Sequence, residues 1–239
     1  MKLMLPKQHG SWAMFLVPLF IGIGAGQQQW VHVPLVLGWF LFYAASFPLL
    51  RLFQVEKGRE SFVRWVFIYF GLGILLMVIP LYHDLSIIWF GFALLPFFLV
   101  NIYFAKMKNE RAVLNDFSAI ASLALGGTVS YYVGTGELDQ NAFYIWVFCV
   151  LFFMGSVFFV KSLIREKRNA NFRWVSWGYH IAMALAILLT AYPLLILAFV
   201  PSVVRALFLY GRKLSPKQIG IIEIVNSVYF AVFLMVFIG

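Results

Sequence analysis

The stretch that decides the fold runs from Trp174 to Tyr210: WVSWGYHIAMALAILLTAYPLLILAFVPSVVRALFLY. A membrane helix needs about 20 mostly apolar residues to cross roughly 30 Å of hydrocarbon. This run is nearly twice that length and is broken only by Ala191-Tyr192-Pro193. Proline cannot donate a backbone hydrogen bond, and it biases the preceding residue away from helix. The spacing therefore predicts two spans with a tight turn at Pro193, rather than one long kinked helix.

Working outward, the other runs that fit a span are Trp12–Gly26, Val33–Phe53, Phe62–Leu81, Leu85–Ala105, Phe117–Gly134, Ala142–Leu163 and Ile219–Ile238. With Trp174–Tyr192 and Pro193–Tyr210 they make nine spans. The expected fold is all-α, a polytopic integral membrane protein forming one transmembrane domain over residues 1–239. Composition agrees. Of the 239 residues, 63% are hydrophobic and 11% charged, against about a quarter charged in soluble domains. So little polar surface cannot cover a water-exposed globule, which excludes a soluble enzyme, a disordered chain and a nucleic-acid-binding module. The single cysteine, Cys149, lies in an apolar run and offers neither a disulfide framework nor a thiolate metal site.

The net charge of +9 reads as topology. All 18 Lys and Arg fall in the N-terminal segment and in the connections after spans two, four, six and eight, or at the span ends beside them. The other connections carry Gln27, His32, His83, Asp84, Glu137 and Asp139. Loops rich in Lys and Arg stay in the cytoplasm. The expectation is a cytoplasmic N-terminus, an outer C-terminus and residence in the cytoplasmic membrane, with the lipid bilayer as partner. The opening also has the form of a signal peptide: Lys2 and Lys7, an apolar stretch, then Gly24-Ala25-Gly26. An uncleaved first helix fits better, because cleavage would discard Lys7-Gln8-His9.

Ionisable residues inside spans cost roughly 2.5–3.5 kcal/mol on insertion scales, so they need a reason. Here Arg51, Asn101, Asp116, Lys161, His180, Arg205, Glu223 and Asn226 share the cytoplasmic half. Snorkelling of long side chains accounts for Arg51, Lys161 and Arg205. It does not account for Asp116, His180, Glu223 or Asn226. Helical spacing places Arg111, Asn115, Ser118, Ser122 and Gly126 on one face of the fifth span. It does the same for Arg173, Trp177, His180 and Ala184 in the seventh, and for Glu223, Asn226 and Ser227 in the ninth. The functional reading is a polar cavity open to the cytoplasm; the alternative is interhelical hydrogen-bond glue.

Two basic segments carry the same choice. Lys7 and His9 close the cytoplasmic mouth of the cavity, or the segment is an interfacial anchor through Trp12. Lys161, Arg165 and Arg168 share a helix face; they clamp an anionic head bidentately, or they set topology and touch anionic lipid. No Walker loop, dinucleotide fingerprint, nucleophile elbow or paired-histidine zinc helix occurs. Gly22-Ile-Gly24-Ala-Gly26 reads as close helix packing. The four histidines, two on each side, would suit a pair of haems, but no two share a helix.

The opening Pro6-Lys7-Gln8-His9-Gly10-Ser11-Trp12-Ala13-Met14, with Asn109-Glu110-Arg111-Ala112 and Asn115-Asp116, resembles the YwiC-like family of bacterial membrane proteins. That resemblance implies no particular activity. A second, architectural similarity is to the UbiA-type intramembrane prenyltransferases, which implies a UbiA-like bundle. Those enzymes hold a prenyl diphosphate through magnesium and two Asp-rich motifs. The corresponding stretches here, Tyr43–Arg59 and Val160–Asn169, contain no aspartate.

The leading expectation is a cationic cavity that binds an anionic amphiphile: a prenyl diphosphate or other isoprenoid, a quinone precursor or a lipid headgroup. Lys7, His9, Arg51, Lys161 and Arg165 neutralise the head, and Arg111, Glu223 and Asn226 also line the site. Asn115, Asp116 and His180 orient the ligand or move a proton and, if there is catalysis, His180 or Asp116 is the base. No metal ligands are assigned, and the cofactor is left unknown. The rivals are a transporter, a structural or assembly protein with no small ligand, and a haem protein.

Overall fold

The computed structural model describes residues 3–6, 9–190 and 192–239, with only the backbone of His9. Lys7 and the His9 side chain, both expected at the cavity mouth, lie outside the described residues. The described chain is helical throughout and contains no strand. Its helices are α1 (His9–Ala25), α2 (His32–Leu52), α3 (Arg59–His83), α4 (Ile88–Lys106), α5 (Val113–Thr135), α6 (Gln140–Leu163), α7 (Ala170–Leu188), α8 (Ile196–Phe208) and α9 (Pro216–Ile238). Short 3-10 turns, Leu85–Ile87 and Pro193–Leu195, lead into α4 and α8.

Each apolar run has become one helix, and the break falls at Tyr192-Pro193 as expected. Six helical segments are long and apolar enough to cross a bilayer: α2, α3, α4 with its 3-10 turn, α5, α6 and α9. The segments Gly10–Ala25 and Pro193–Phe208 are shorter. Three helices start ahead of their apolar runs where a polar cap sets the end. Asp139 accepts from Ala142 N at 2.9 Å to start α6. Ser215 and Gln218 form a reciprocal capping box at α9, with Pro216 in its first turn. Asn169 caps α7 and starts it at Ala170, ahead of the apolar run.

The bundle is built around α1, α5 and α6. Helix α1 packs on α5, α6 and α9, while α2 pairs mainly with α3. The α1 glycines do what close packing requires. A Cβ on Gly22 would collide with the Gly127 carbonyl of α5, and one on Gly24 would collide with Met235 of α9. Helices α3 and α4 are largely exposed, presenting Phe67, Leu75, Trp89, Phe92 and Leu99 to the surroundings. An apolar surface of that extent belongs against lipid, not water.

Contacts between connections sort them to two ends. At one end Gln54 Nε2 donates to Glu110 Oε1, joining the α2–α3 and α4–α5 connections. Lys161 Nζ donates to Arg111 O at 3.0 Å, bringing in the end of α6. Ser162 and Lys167 share a pocket with Tyr210 and Arg212, bringing in the α8–α9 connection. Met4 and Leu5 pack here too, on Trp65 and Tyr69. At the other end Gln29 Nε2 donates to Gly134 O, Tyr132 donates to Asp84, and Tyr192 donates to Asn141 Oδ1 at 2.7 Å. Gly239 lies there, against Ala25. The basic connections thus gather at one end of the bundle.

Candidate functional site

Two polar clusters sit toward the basic end. The first joins α4, α5 and α6. Lys161, in the last turn of α6, makes an ion pair with Asp116, in the first turn of α5. Both charges suit their helix ends: a cation near the C-terminal carbonyls, an anion near the N-terminal amides. Lys161 is buried and Asp116 keeps some access to water. Buried Asn101 of α4 donates to Asn115 Oδ1 at 2.9 Å, and Asn115 Nδ2 donates to Glu110 O at 2.8 Å. Arg51 NH1 donates to Gln54 Oε1 at 2.9 Å, and Gln54 reaches Glu110.

The structure therefore brings Arg51, Arg111, Asn115, Asp116, Lys161 and Arg165 to one rim. Their roles differ. Arg111 contributes its carbonyl to Lys161 while its side chain is exposed. Arg165 is exposed and acts on Asp116 electrostatically. Arg51 is exposed and lies over the Phe47 ring at 5.7 Å. In the α5 stripe, Ser122 turns back on its own helix, its Oγ donating to Ala119 O at 2.8 Å.

The second cluster lies between α6, α7, α8 and α9. Arg205 of α8 forms an ion pair with Glu223 of α9. Its guanidinium also donates to Ser156 Oγ of α6 at 3.0 Å and stacks on Phe159, 4.7 Å from the ring centroid. One turn along the same seam, Asn226 Nδ2 donates to Ser202 Oγ at 3.0 Å. His180 of α7 is wholly buried. Its Nδ1 donates to Ser176 O at 2.7 Å, which fixes the tautomer and leaves Nε2 as an acceptor. That Nε2 faces Gly155 of α6, only 3.2 Å from where a Cβ would stand. His180 Nε2, Arg205 Nε and Asn226 Oδ1 have no hydrogen-bond partner among the described residues.

Here the sequence reading needs correcting. Snorkelling does not account for Arg205, because this side chain is 4% exposed and turned into the bundle. Lys161 likewise ends on Asp116 rather than at the interface. Ser156 and Ser202 are site residues that sequence reasoning misses. The usable signal is the polar face of α9: Glu223 and Asn226 stand three residues apart, as do Ser202 and Arg205 on the adjacent helix. A buried carboxylate demands a cation at matching depth.

The opposite end has a cavity of about 220 Å³ lined by Gln27, Gln29, His83, Asp84, Tyr132 and Thr135 among others, with no Lys or Arg. Asp84 Oδ1 accepts from Ser86 N at 2.8 Å and Oδ2 from the Tyr132 hydroxyl. These bonds, that from Tyr132 foremost, hold its carboxyl below the usual carboxylate range. His32, a haem-ligand candidate, has both ring nitrogens engaged, with Gln29 N and with Ser130 O. Among the described residues no three His, Cys, Asp or Glu side chains come together.

No solved structure matches the chain. A protein of Bacillus subtilis (strain 168), described as uncharacterized protein YwiC, is 41% identical over 238 residues, covering 100% of this chain and 99% of that one. An uncharacterized protein of Haemophilus influenzae is 38% identical over 236 residues, 99% of each chain. Residues 5–131 match the family model of the YwiC-like proteins, and with relatives this similar along the whole length the chain belongs to the YwiC-like family.

Proposed function

We infer that this YwiC-like protein is a nine-span protein of the cytoplasmic membrane. Its N-terminus and basic end face the cytoplasm, and it binds an anionic amphiphile at that end. The observation that supports this most is the position of Lys161. It is a buried cation, held by Asp116, directly beneath the exposed Arg111 and Arg165. An isoprenoid diphosphate or lipid headgroup offers several oxygens, and arginine forks take them bidentately. The apolar tail would lie along the exposed face of α4, which adjoins α5. Glu223, Asn226 and His180 stand in the other cluster and are not needed to hold the head.

Native mass spectrometry of the gently purified protein tests this, comparing wild type with Arg165→Ala. The expected result is a discrete anionic mass on the wild type that is weakened or lost in the variant. Bulk phospholipid retained equally by both would overturn it.

A second reading has its own support. Asn101, Asn115 and Asp116 are all partnered inside the bundle, as interhelical glue would be. On that reading the protein is a structural or assembly partner without a small ligand. Asp116→Asn with Lys161→Met, which removes both charges of the first pair, would then be tolerated in cells, whereas an anion site would lose its buried cation.

A further inference from the structure

The second cluster has features that neither helix packing nor amphiphile binding calls for. Glue needs hydrogen bonds, not a full charge pair, and here a guanidinium and a carboxylate are set between helices beside a buried imidazole. Besides the ion-paired atoms, four polar atoms of that cluster lack hydrogen-bond partners among the described residues: Arg205 Nε, a donor, His180 Nε2 and Asn226 Oδ1, both acceptors, and the Ser176 hydroxyl. Leaving such groups unpaired is costly. An oxyanion would accept from the donor, and a protonated carboxyl beside it could donate to an acceptor.

We propose that the α8–α9 seam is a proton-linked binding site for a small monovalent oxyanion, in which Glu223 occupies the guanidinium of Arg205 until it is protonated and displaced. As built, the pair is neutral. An incoming carboxylate or other planar oxyanion matches the fork that Glu223 now holds. If it entered alone, the seam would carry two anions on one cation in a medium of low dielectric, which is strongly disfavoured. One proton taken up on Glu223 restores neutrality: the carboxylate becomes a carboxylic acid, releases the guanidinium and can donate to a neighbouring acceptor such as Asn226 Oδ1. Each anion bound therefore brings one proton. The site is independent of the amphiphile rim, because the two clusters share only α6, which sends Ser156 to one and Lys161 to the other.

The surroundings fit this exchange. Arg205 is 4% exposed on its side chain and Glu223 17%, so the carboxylate is the more accessible member. At the basic end a pocket of about 140 Å³ is lined by Lys167 and Arg212. Its wall residue Leu163 packs in one apolar cluster with Phe159, Ala206 and Ile219, and Phe159 carries the Arg205 guanidinium. Cations there raise the local anion concentration, and an anion would pass this apolar cluster to reach the pair. The other groups facing Glu223 are few. Helix α6, which packs on α9, carries the uncharged Ser156 and Phe159 and also Lys161, held by Asp116, while His180 of α7 interacts electrostatically with Arg205. Helix α1 has no charged residue from Gly10 to Ala25, and the 3-10 turn Pro193–Leu195 has none.

The test is thermal-shift titration of the purified full chain with sodium nitrate and with sodium acetate, between about pH 6 and pH 8, where both probes stay monovalent. Linkage of one proton to one anion predicts that wild-type affinity rises about tenfold for each unit fall in pH. Glu223→Gln should bind at least about tenfold tighter at the upper pH and lose the slope. His180→Gln should keep the slope. The neutral double variant Arg205→Gln/Glu223→Gln should fold and bind neither probe. A wild type whose response to both anions is absent or flat with pH overturns the proposal, whatever the variants do. So does a folded Glu223→Gln that binds neither probe.

Discussion

Gly22 of α1 and Gly127 of α5 meet backbone to backbone, so closely that neither helix has room for a Cβ at that point. A Cβ on Gly127 would stand 2.7 Å from the Pro18 carbonyl, and one on Gly22 would strike the Gly127 carbonyl itself. Neither obstacle is a flexible side chain, so neither can swing aside. Gly127→Val should therefore destabilise the protein by roughly 1–3 kcal/mol, the range for overpacking a filled interior. Thermal unfolding in detergent measures this. A variant as stable as wild type would show that the two helices are further apart than described.

Asp116→Asn removes the partner of a buried lysine while keeping the shape. Breaking a buried pair this way costs roughly 3 kcal/mol or somewhat more, and the low end applies because Asp116 retains some contact with water. Adding Lys161→Met should recover most of the loss, since both charges are then gone. Chemical denaturation of the two variants gives the answer, and a double variant no better than the single would refute an ionic origin for the effect.

At the opposite end, acid should act through Asp84. Its folded-state pKa is depressed, chiefly by the Tyr132 hydroxyl and then by Ser86 N. A depressed carboxylate adds stability above its unfolded value, about pH 4, and loses it as pH falls through the folded value. Tyr132→Phe should weaken that dependence. The comparison to make is the stability difference between wild type and Asp84→Asn, followed below about pH 4, with Tyr132 present and again in the Tyr132→Phe background. An undiminished difference in that background would assign the shift elsewhere.

Orientation can be read with cysteines, because the natural Cys149 is buried and silent to surface reagents. Gln140→Cys, at the start of α6, and Lys167→Cys, in the connection that follows it, mark the two sides. In intact cells a membrane-impermeant maleimide should label the variant at position 140 and spare that at position 167. The reverse pattern would invert the proposed topology.

Much of the helical layout could be read from hydropathy and charge. The turn at Tyr192-Pro193, the alternation of basic and non-basic connections and the close-packed α1 glycines all follow from local chemistry. Helix ends were less legible: α5 begins at Val113 and α7 at Ala170, each ahead of its apolar run, because hydropathy marks the bilayer and not the cap. The α8–α9 ion pair escaped for a different reason. Depth along a helix is visible in a sequence, whereas the direction a side chain faces depends on which neighbour lies beside it. Arg205 has the depth of a snorkelling arginine and the direction of a buried one.

The central place of α1 also bears on how the chain is made. Helix α1 leaves the ribosome well before its permanent partners α5, α6 and α9, the last of which follows all the other helices. Gly24 waits for Met235, and Ala25 for Gly239. If α1 spans as proposed, its glycine face stays uncovered in the bilayer until those partners arrive. Long-range closure of this kind is slow and leaves surfaces open to wrong association. A chain truncated after α8 should insert and yet stay unlocked, a ready substrate for membrane quality-control proteases.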